Sequence, residues 1–310
     1  MHTTGTLNTF VGEGAGNTAT TATGRNAAFG ESALTSLTIG SENAAFGKDA
    51  LRANTVGSWN AGFGERALYT NTAGYANSAF GWKVLYTMNL ATRNSAFGYQ
   101  TLLANTTGFS NSAFGTSALV STTTGARNVA LGDSAGGAQT TGDDNIYIDN
   151  LGVSGESGKI KIGNSAHTET FIEGIWMNTV GGTSADVIVN ASGDLGTIPS
   201  SLRFKEAVRD MGEASNLLMR LRPVTFRYRE PLAEGRNTRE YGLIAEEVAA
   251  QAPELVIRGD DGRPYSVRYH LLAPMLLNEM QKQQRTIETL QARLDQLEQA
   301  PGTHSQESGR

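Results

Sequence analysis

Apolar and polar residues alternate only in short bursts through the first half of this chain, and recur at helical spacing only near its end. The bursts are nine copies of one cassette, most reading N-x-A-F-G. They begin at Asn8, Asn26, Asn43, Asn60, Asn77, Asn94, Asn111, Asn128 and Asn145. Seven of the eight spacings are 17 residues and the first is 18. Phe holds the fourth place (Phe29, Phe46, Phe63, Phe80, Phe97, Phe114), with Leu131 replacing it later. Leu holds the ninth (Leu34, Leu51, Leu68, Leu85, Leu102, Leu119). Alternation this brief predicts one short strand per cassette rather than a helix. Gly follows each Phe, and a second Gly precedes most of the next Asn residues, which predicts turns with positive φ or close backbone approach. A fixed short period means one small unit stacked on itself, a shaft over residues 1–150. The recurring Asn and Thr read as turn formers or Asn ladders, with a receptor-reading role as the other possibility.

Residues 143–198 break the period. Asp143-Asp144-Asn145-Ile146-Tyr147-Ile148-Asp149 invites a calcium reading, but the acidic spacing does not match the calcium-loop pattern, so a solvated turn is expected. Lys159–Gly163 and Asp186–Asn190 read as short strands among glycines, giving a β neck or connector over 151–199.

After Pro199 the sequence becomes charged and helix-capable. Leu217 to Tyr228 reads as a helix end and then a strand started by Pro223. Tyr241 to Val248 reads as a strand passing into a helix that stops before Pro253. Leu255-Val256-Ile257 and Tyr265–Tyr269 flank Asp260-Asp261-Gly262, the signature of a hairpin turn. Leu276, Met280, Gln283, Ile287, Leu290, Leu294 and Leu297 alternate steps of four and three, a coiled-coil seam in a helix spanning 272–299. Gln283 is the polar member, a device that fixes register at a cost in stability. The polar tail, 300–310, is expected to be disordered.

Charge separates the halves. Residues 1–198 hold 9 Lys/Arg and 14 Asp/Glu, residues 199–310 hold 16 of each, and 30 of the 37 glycines precede residue 199. The net charge of −5 offers no basic stripe, so no nucleic-acid partner is expected. No segment approaches the roughly 20 apolar residues that span a bilayer, so no membrane insertion is expected. Met1-His2-Thr3-Thr4-Gly5 lacks the regions of a secretory signal, which points to exit by another route such as phage lysis, or to a fragment. Cysteine is absent and the four histidines show no ligand spacing, so no cofactor and no metal are expected.

Magnitudes bear on assembly. Each repeat offers about four apolar side chains worth on the order of 1.5–3 kcal/mol apiece when buried, whereas ordering 17 residues costs roughly 1–2 kcal/mol each. Stacking must supply the difference, and burial against further copies helps. The cassette resembles the head repeats of trimeric autotransporter adhesins, in which N-x-x-A-x-G units wind into a left-handed β-roll and three rolls associate. It is equally similar to the repeat shafts of phage tail fibres. A homotrimer is therefore expected, with a single-chain β-solenoid as the other reading.

The landmarks SSLRFKE, LRPVTFRY, YGLIAEEV and the terminal helix, in this order, closely resemble the intramolecular chaperone domain at the C-terminus of phage endosialidase tailspikes and many tail fibres. A membrane-anchored transcription factor of animals shares that family, which is one of self-cleaving serine peptidases that trimerise their parent protein. The resemblance runs from Ser200 to roughly Leu297. It implies a mainly β repeat shaft (trimeric, β-roll or β-helix-like) followed by an α+β chaperone domain over 200–299 that ends in a coiled-coil helix.

The resemblance also implies a catalytic dyad of Ser200 and Lys205, with a cut beside Ser200 on a side the sequence leaves open. A serine hydroxyl needs an adjacent base, and a lysine serves only if burial or charge lowers its pKa. Tailspike members follow the serine with Asp, where this chain has Ser201, so Ser201 is a second candidate nucleophile. Arg203 and Glu246 are candidate neighbours of the site. The plainer readings are that Ser200-Ser201 caps a helix beginning near Leu202, that Lys205 is a solvated side chain, that Glu247 is a surface helix residue, and that His270 packs beside a leucine pair.

The expected function is host-surface attachment by a homotrimeric phage-type tail fibre or spike segment in a virion tail. A glycan or protein receptor and other tail proteins are the expected partners. The chaperone aligns the trimer and then cuts itself off, a single-turnover event with no action on external substrates. The alternative is a bacterial trimeric cell-surface adhesin with the same chaperone. A polysaccharide-degrading tailspike needs paired carboxylates in a groove, and the repeats carry few acids.

Overall fold

A computed structural model of the chain describes residues 7–18, 24–173, 175, 179–229 and 238–299. The chain divides into two compact units, Met1–Thr179 and Val180–Arg310. The division falls inside the stretch read as a neck.

The first unit is a β-solenoid of one three-residue strand per rung: β1 (Thr9–Val11), β2 (Ala27–Phe29), β3 (Ala44–Phe46), β4 (Ala61–Phe63), β5 (Ser78–Phe80), β6 (Ser95–Phe97), β7 (Ser112–Phe114), β8 (Val129–Leu131), β9 (Ile146–Ile148) and β10 (Ile160–Ile162). They form a single parallel sheet in sequence order, with Phe29, Phe46, Phe63, Phe80, Phe97 and Phe114 in register. β10 continues the ladder beyond the 17-residue period, with Ile160 opposite Ile146.

In most rungs the Asn that opens the cassette and the Ala two places later point inward, while the Phe that ends the strand points out and keeps part of its surface in solvent. The interior is thus Ala28, Ala45, Ala79, Ala96 and Ala113 set against Leu34, Leu51, Leu68, Leu85, Leu102 and Leu119. These leucines sit at a corner with φ between +50° and +56°. The left-handed conformation costs an L-residue roughly 1–2 kcal/mol, and full burial of a Leu contributes about 1.5–3 kcal/mol. Burial outweighs strain, which is why Leu rather than Gly holds the corner.

The Gly after Phe adopts φ of +130° to +141°, as the sequence predicts. The second Gly has a different reason. At Gly57 a Cβ would fall 2.4 Å from the Gly74 carbonyl oxygen of the next rung, so close backbone approach excludes a side chain there.

The buried asparagines form a continuous amide ladder. Asn77 donates its backbone N–H and its Nδ2 to Asn60 Oδ1 at 3.1 and 3.0 Å, and Nδ2 also reaches the Ala91 carbonyl at 3.0 Å. The pattern repeats from Asn8 to Asn145. Every amide is satisfied by its neighbours, so burying it carries no penalty for lost hydrogen bonds. On the outside, the six phenylalanines stack with ring centroids 4.6–4.9 Å apart and planes within 11° of parallel, the spacing of adjacent strands.

The second unit is assembled from small pieces. Hairpin strands β11 (Ile188–Val189) and β12 (Leu195–Gly196) precede a single 3-10 turn, Leu202–Phe204, and a 3-10 helix, Gly212–Arg220. β13 (Val224–Phe226) pairs with β14 (Glu240–Gly242), which leads into α1 (Ala245–Gln251). β15 (Val256–Arg258) and β16 (Pro264–Val267) form the hairpin expected around Asp260-Asp261-Gly262. α2 (Leu272–Gln299) closes the described chain. Val248, Ala252, Leu255 and Val267 form its core, with Leu217, Leu221, Leu243 and Met275 packed around them. The tail read as disordered lies outside the described residues.

α2 is held to the 3-10 helix by a polar clamp. The Ser215 hydroxyl, fully buried, donates to Glu279 Oε1. Asn278 Nδ2 donates to Ser215 Oγ at 2.6 Å, and Lys282 Nζ to Glu279 at 3.0 Å. The seam residues Leu276, Met280, Ile287, Leu290, Leu294 and Leu297 lie in solvent on this chain.

Candidate autoprocessing site

Ser200 and Lys205 stand at the two ends of one tight reversal. Ser201 is extended (φ −65°, ψ 142°), the 3-10 turn follows, and Lys205 is extended again (φ −124°, ψ 142°). The Phe204 N–H donates to the Ser201 carbonyl and the Lys205 N–H to the Leu202 carbonyl, both at 3.0 Å. This turn brings the long Lys205 side chain back so that Nζ donates to Ser200 Oγ at 3.1 Å. A five-residue separation in sequence thus becomes a direct contact between the hydroxyl and the amine.

The remaining candidates are placed differently. Ser201 precedes the turn and caps it with no side-chain hydrogen bond, so the helix-capping reading of the serine pair is not realised. The Arg203 guanidinium lies 4.6 Å from the centre of the Phe204 ring. Glu246 is exposed in the first turn of α1. Among the described residues, Ser201, Arg203 and Glu246 make no side-chain hydrogen bond to the dyad.

Glu247, read as a surface helix residue, is exposed and pairs with Arg222 through two hydrogen bonds, the Nε one at 3.1 Å. That contact holds the Glu247 carboxyl below, and the Arg222 guanidinium above, its ordinary range. His270 is exposed in the 3-10 turn Tyr269–Leu271 rather than packed against leucines, because it is Leu271 and Leu272 that turn toward the core. Asp143 and Asp144, weighed as calcium ligands, instead close on Arg127 at 3.3 and 2.6 Å.

Two features of this unit were not singled out from the sequence. Ser215 and Glu279 meet across 64 residues of chain, and no local spacing announces such a pair. The Leu243 N–H donates to the Tyr269 hydroxyl at 2.9 Å, joining the end of β14 to the start of α2. Beside that bond lies an apolar groove of about 480 Å³ lined by Leu221, Val224, Tyr241, Leu243, Tyr269 and Leu276.

Chemically, the turn supplies a hydroxyl and an amine in proton-transfer contact, and both side chains stand in solvent. A lysine accepts a proton at neutral pH only where burial or neighbouring positive charge favours the neutral amine. What this chain shows is a hydrogen bond of 3.1 Å between two exposed side chains, Lys205 and Ser200.

No curated protein and no solved structure matches the chain. A family model described as the chaperone of endosialidase matches residues 200–257, starting at Ser200 and including Lys205 and Glu246. The chain therefore couples a β-solenoid shaft to a stretch similar to the endosialidase chaperone.

Proposed function

We propose that this chain is a fibre segment that works as a homotrimer in a virion tail, attaches to a receptor on the host surface, and carries its own assembly module. The module aligns three copies from the C-terminal end and then cuts itself off beside Ser200. The observation that carries this reading is the Lys205–Ser200 contact of 3.1 Å inside the stretch matched by the chaperone family.

Packing supports the assembly half of the reading. The seam of α2 leaves half or more of Leu276, Met280, Leu290, Leu294 and Leu297 in water. The apolar groove opens where that seam begins, at Leu276. Val180, Val187, Val189, Leu195 and Ile198 in the connector are exposed as well. Burying one such side chain contributes about 1.5–3 kcal/mol, so two further copies of the same helix are the economical cover. Identical rungs can pair out of register by one unit at little loss, and a nucleus at one end removes that ambiguity.

The same cover completes the dyad. Desolvation by neighbouring copies favours the neutral Lys205 amine, which takes the Ser200 proton as Oγ attacks the adjoining carbonyl carbon. The ammonium then gives that proton to the departing amide nitrogen, leaving an ester on Ser200 that water hydrolyses. Cleavage follows assembly, because the exposed dyad of a lone chain lacks this cover. A bacterial trimeric adhesin with the same module is the second reading, favoured by the stacked N-x-A-F-G rungs.

Mass spectrometry and analytical ultracentrifugation of the expressed chain beside Ser200→Ala test the proposal. Two fragments that meet beside Ser200 are expected from the parent, one intact chain from the variant, and trimers from both. An intact parent in a fully formed trimer removes self-cleavage and leaves the chaperone role. A compact monomer at micromolar concentration removes the assembly reading.

A further inference from the structure

The charge along the solenoid is uneven in a way the fold does not require. Between Glu65 and Asp133 there is no Asp or Glu, while Arg66, Lys83, Arg93 and Arg127 all lie in that stretch of a chain whose net charge is −5. Arg66 is paired with Asp49, and Arg127 with Asp144. Among the described residues, Lys83 and Arg93 have no carboxylate partner.

Outside the Phe ladder, four half-buried or exposed aromatic residues of this stretch form two stacks. Trp82 stacks on Tyr99 with centroids 4.9 Å apart, and Tyr69 on Tyr86 at 5.1 Å. Lys83 Nζ lies 4.2 Å from the centre of the Trp82 ring and 5.4 Å from that of Tyr86, which joins the two stacks into one surface. Thr116 takes the place of Tyr99 in the next rung, so the Tyr99 stack ends there with 49% of the residue in solvent. Flat rings with a free cation between them suit a ligand that presents apolar C–H faces and negative charge together.

We propose that the face carrying Trp82, Lys83, Tyr86 and Tyr99 binds an acidic polysaccharide, its sugar rings against the open end of the Tyr99 stack and its carboxylates against Lys83. The inference deepens the attachment reading above and rests on it. A duplex nucleic acid is disfavoured because one or two free cations are too few to anchor a phosphate backbone.

The ladder itself supplies gentle substitutions, since Gln100 and Thr116 occupy the places of Lys83 and Tyr99 one rung on. The full chain is immobilised and titrated with hyaluronan, polygalacturonate and polysialic acid, with dextran as a neutral polymer and polyglutamate as a sugar-free polyanion. Lys83→Gln/Tyr99→Thr is compared with the parent and with Lys48→Gln, which alters a lysine already paired with Glu31.

Binding of at least one acidic polysaccharide and not of dextran is expected, weakening with salt. The double variant should lose about tenfold while its melting curve and sedimentation stay those of the parent. The proposal is overturned if the folded parent binds none of the three, if the double variant binds as the parent does, or if polyglutamate binds equally well. Oligomeric state is read on the same samples. A trimer that ignores acidic sugars sinks this proposal alone, whereas a monomer counts against the assembly reading.

Discussion

Phe10 occupies the space that Gly16 leaves empty. Phe10 stands where later rungs have a small residue, usually Ala, and Gly16 stands where most have Leu, so a Cβ on Gly16 would fall 2.4 Å from the Phe10 ring. Near the other end the Tyr147 ring is 2.8 Å from where a Cβ on Gly136 or on Gly152 would lie. The first rung fills its interior with one large ring in place of an Ala–Leu pair, and at the far end Tyr147 fills the space left by Gly136 of the rung before it. Burial and a hydrogen bond to Glu156 also raise the Tyr147 hydroxyl well above its ordinary pKa, and Lys161 closes on Glu156 at 2.6 Å.

Gly16→Leu should therefore overpack the first rung and destabilise the solenoid by about 1–3 kcal/mol. Phe10→Ala alone should open a cavity costing about 3–5 kcal/mol. The pair together rebuilds the internal pattern and should recover most of both losses, because Leu at this corner adopts the same φ in six other rungs. Urea midpoints of the four proteins measure the coupling, and strictly additive losses would show that the two residues do not share a site.

Asn77 is the centre of the amide ladder, and its loss reaches three neighbours. Asn77→Ala strips the acceptor from the Asn94 backbone N–H and Nδ2, both held at 3.0–3.1 Å, and the donor from the Ala91 carbonyl. A buried polar group left unsatisfied costs about 1–3 kcal/mol, so a loss of at least about 2 kcal/mol is expected. Asn77→Asp should be no milder, since it accepts but cannot donate. An unfolding midpoint unchanged by Asn77→Ala would mean that the ladder is ornament.

The clamp on α2 sets a direction for acid sensitivity. The Ser215 hydroxyl first, and then the Lys282 ammonium, hold the Glu279 carboxyl below its ordinary value of 4.5 against the opposing effect of burial. A carboxylate whose folded pKa is depressed contributes stability above its unfolded pKa and loses it as pH falls through the folded value. The second unit should therefore weaken as pH drops below the ordinary glutamate range, and Glu279→Gln should flatten that limb. Unfolding midpoints at several pH values between about 3 and 6 test this, and an identical acid limb in the variant would falsify the role given to Glu279.

Much of this was legible before the structure. The 17-residue period, the strand in each cassette, the hairpin at Gly262 and the long terminal helix follow from local chemistry, because each rests on residues within one turn or one repeat of each other. The Ser200–Lys205 pair came from the family resemblance alone, and the 3-10 turn that brings these two residues together came with the structure.

Which residues face inward required the closed coil. By residue type, Phe belongs inside and Asn outside, and the rungs do the reverse. A parallel stack gives every buried amide a partner above and below, while leucines strained at the corners fill the remaining space. The exchange of Phe10 with Gly16, the meeting of Ser215 with Glu279 and the union of two aromatic stacks through Lys83 depend on chain closure over many residues. A one-dimensional reading holds no term for contacts of that length.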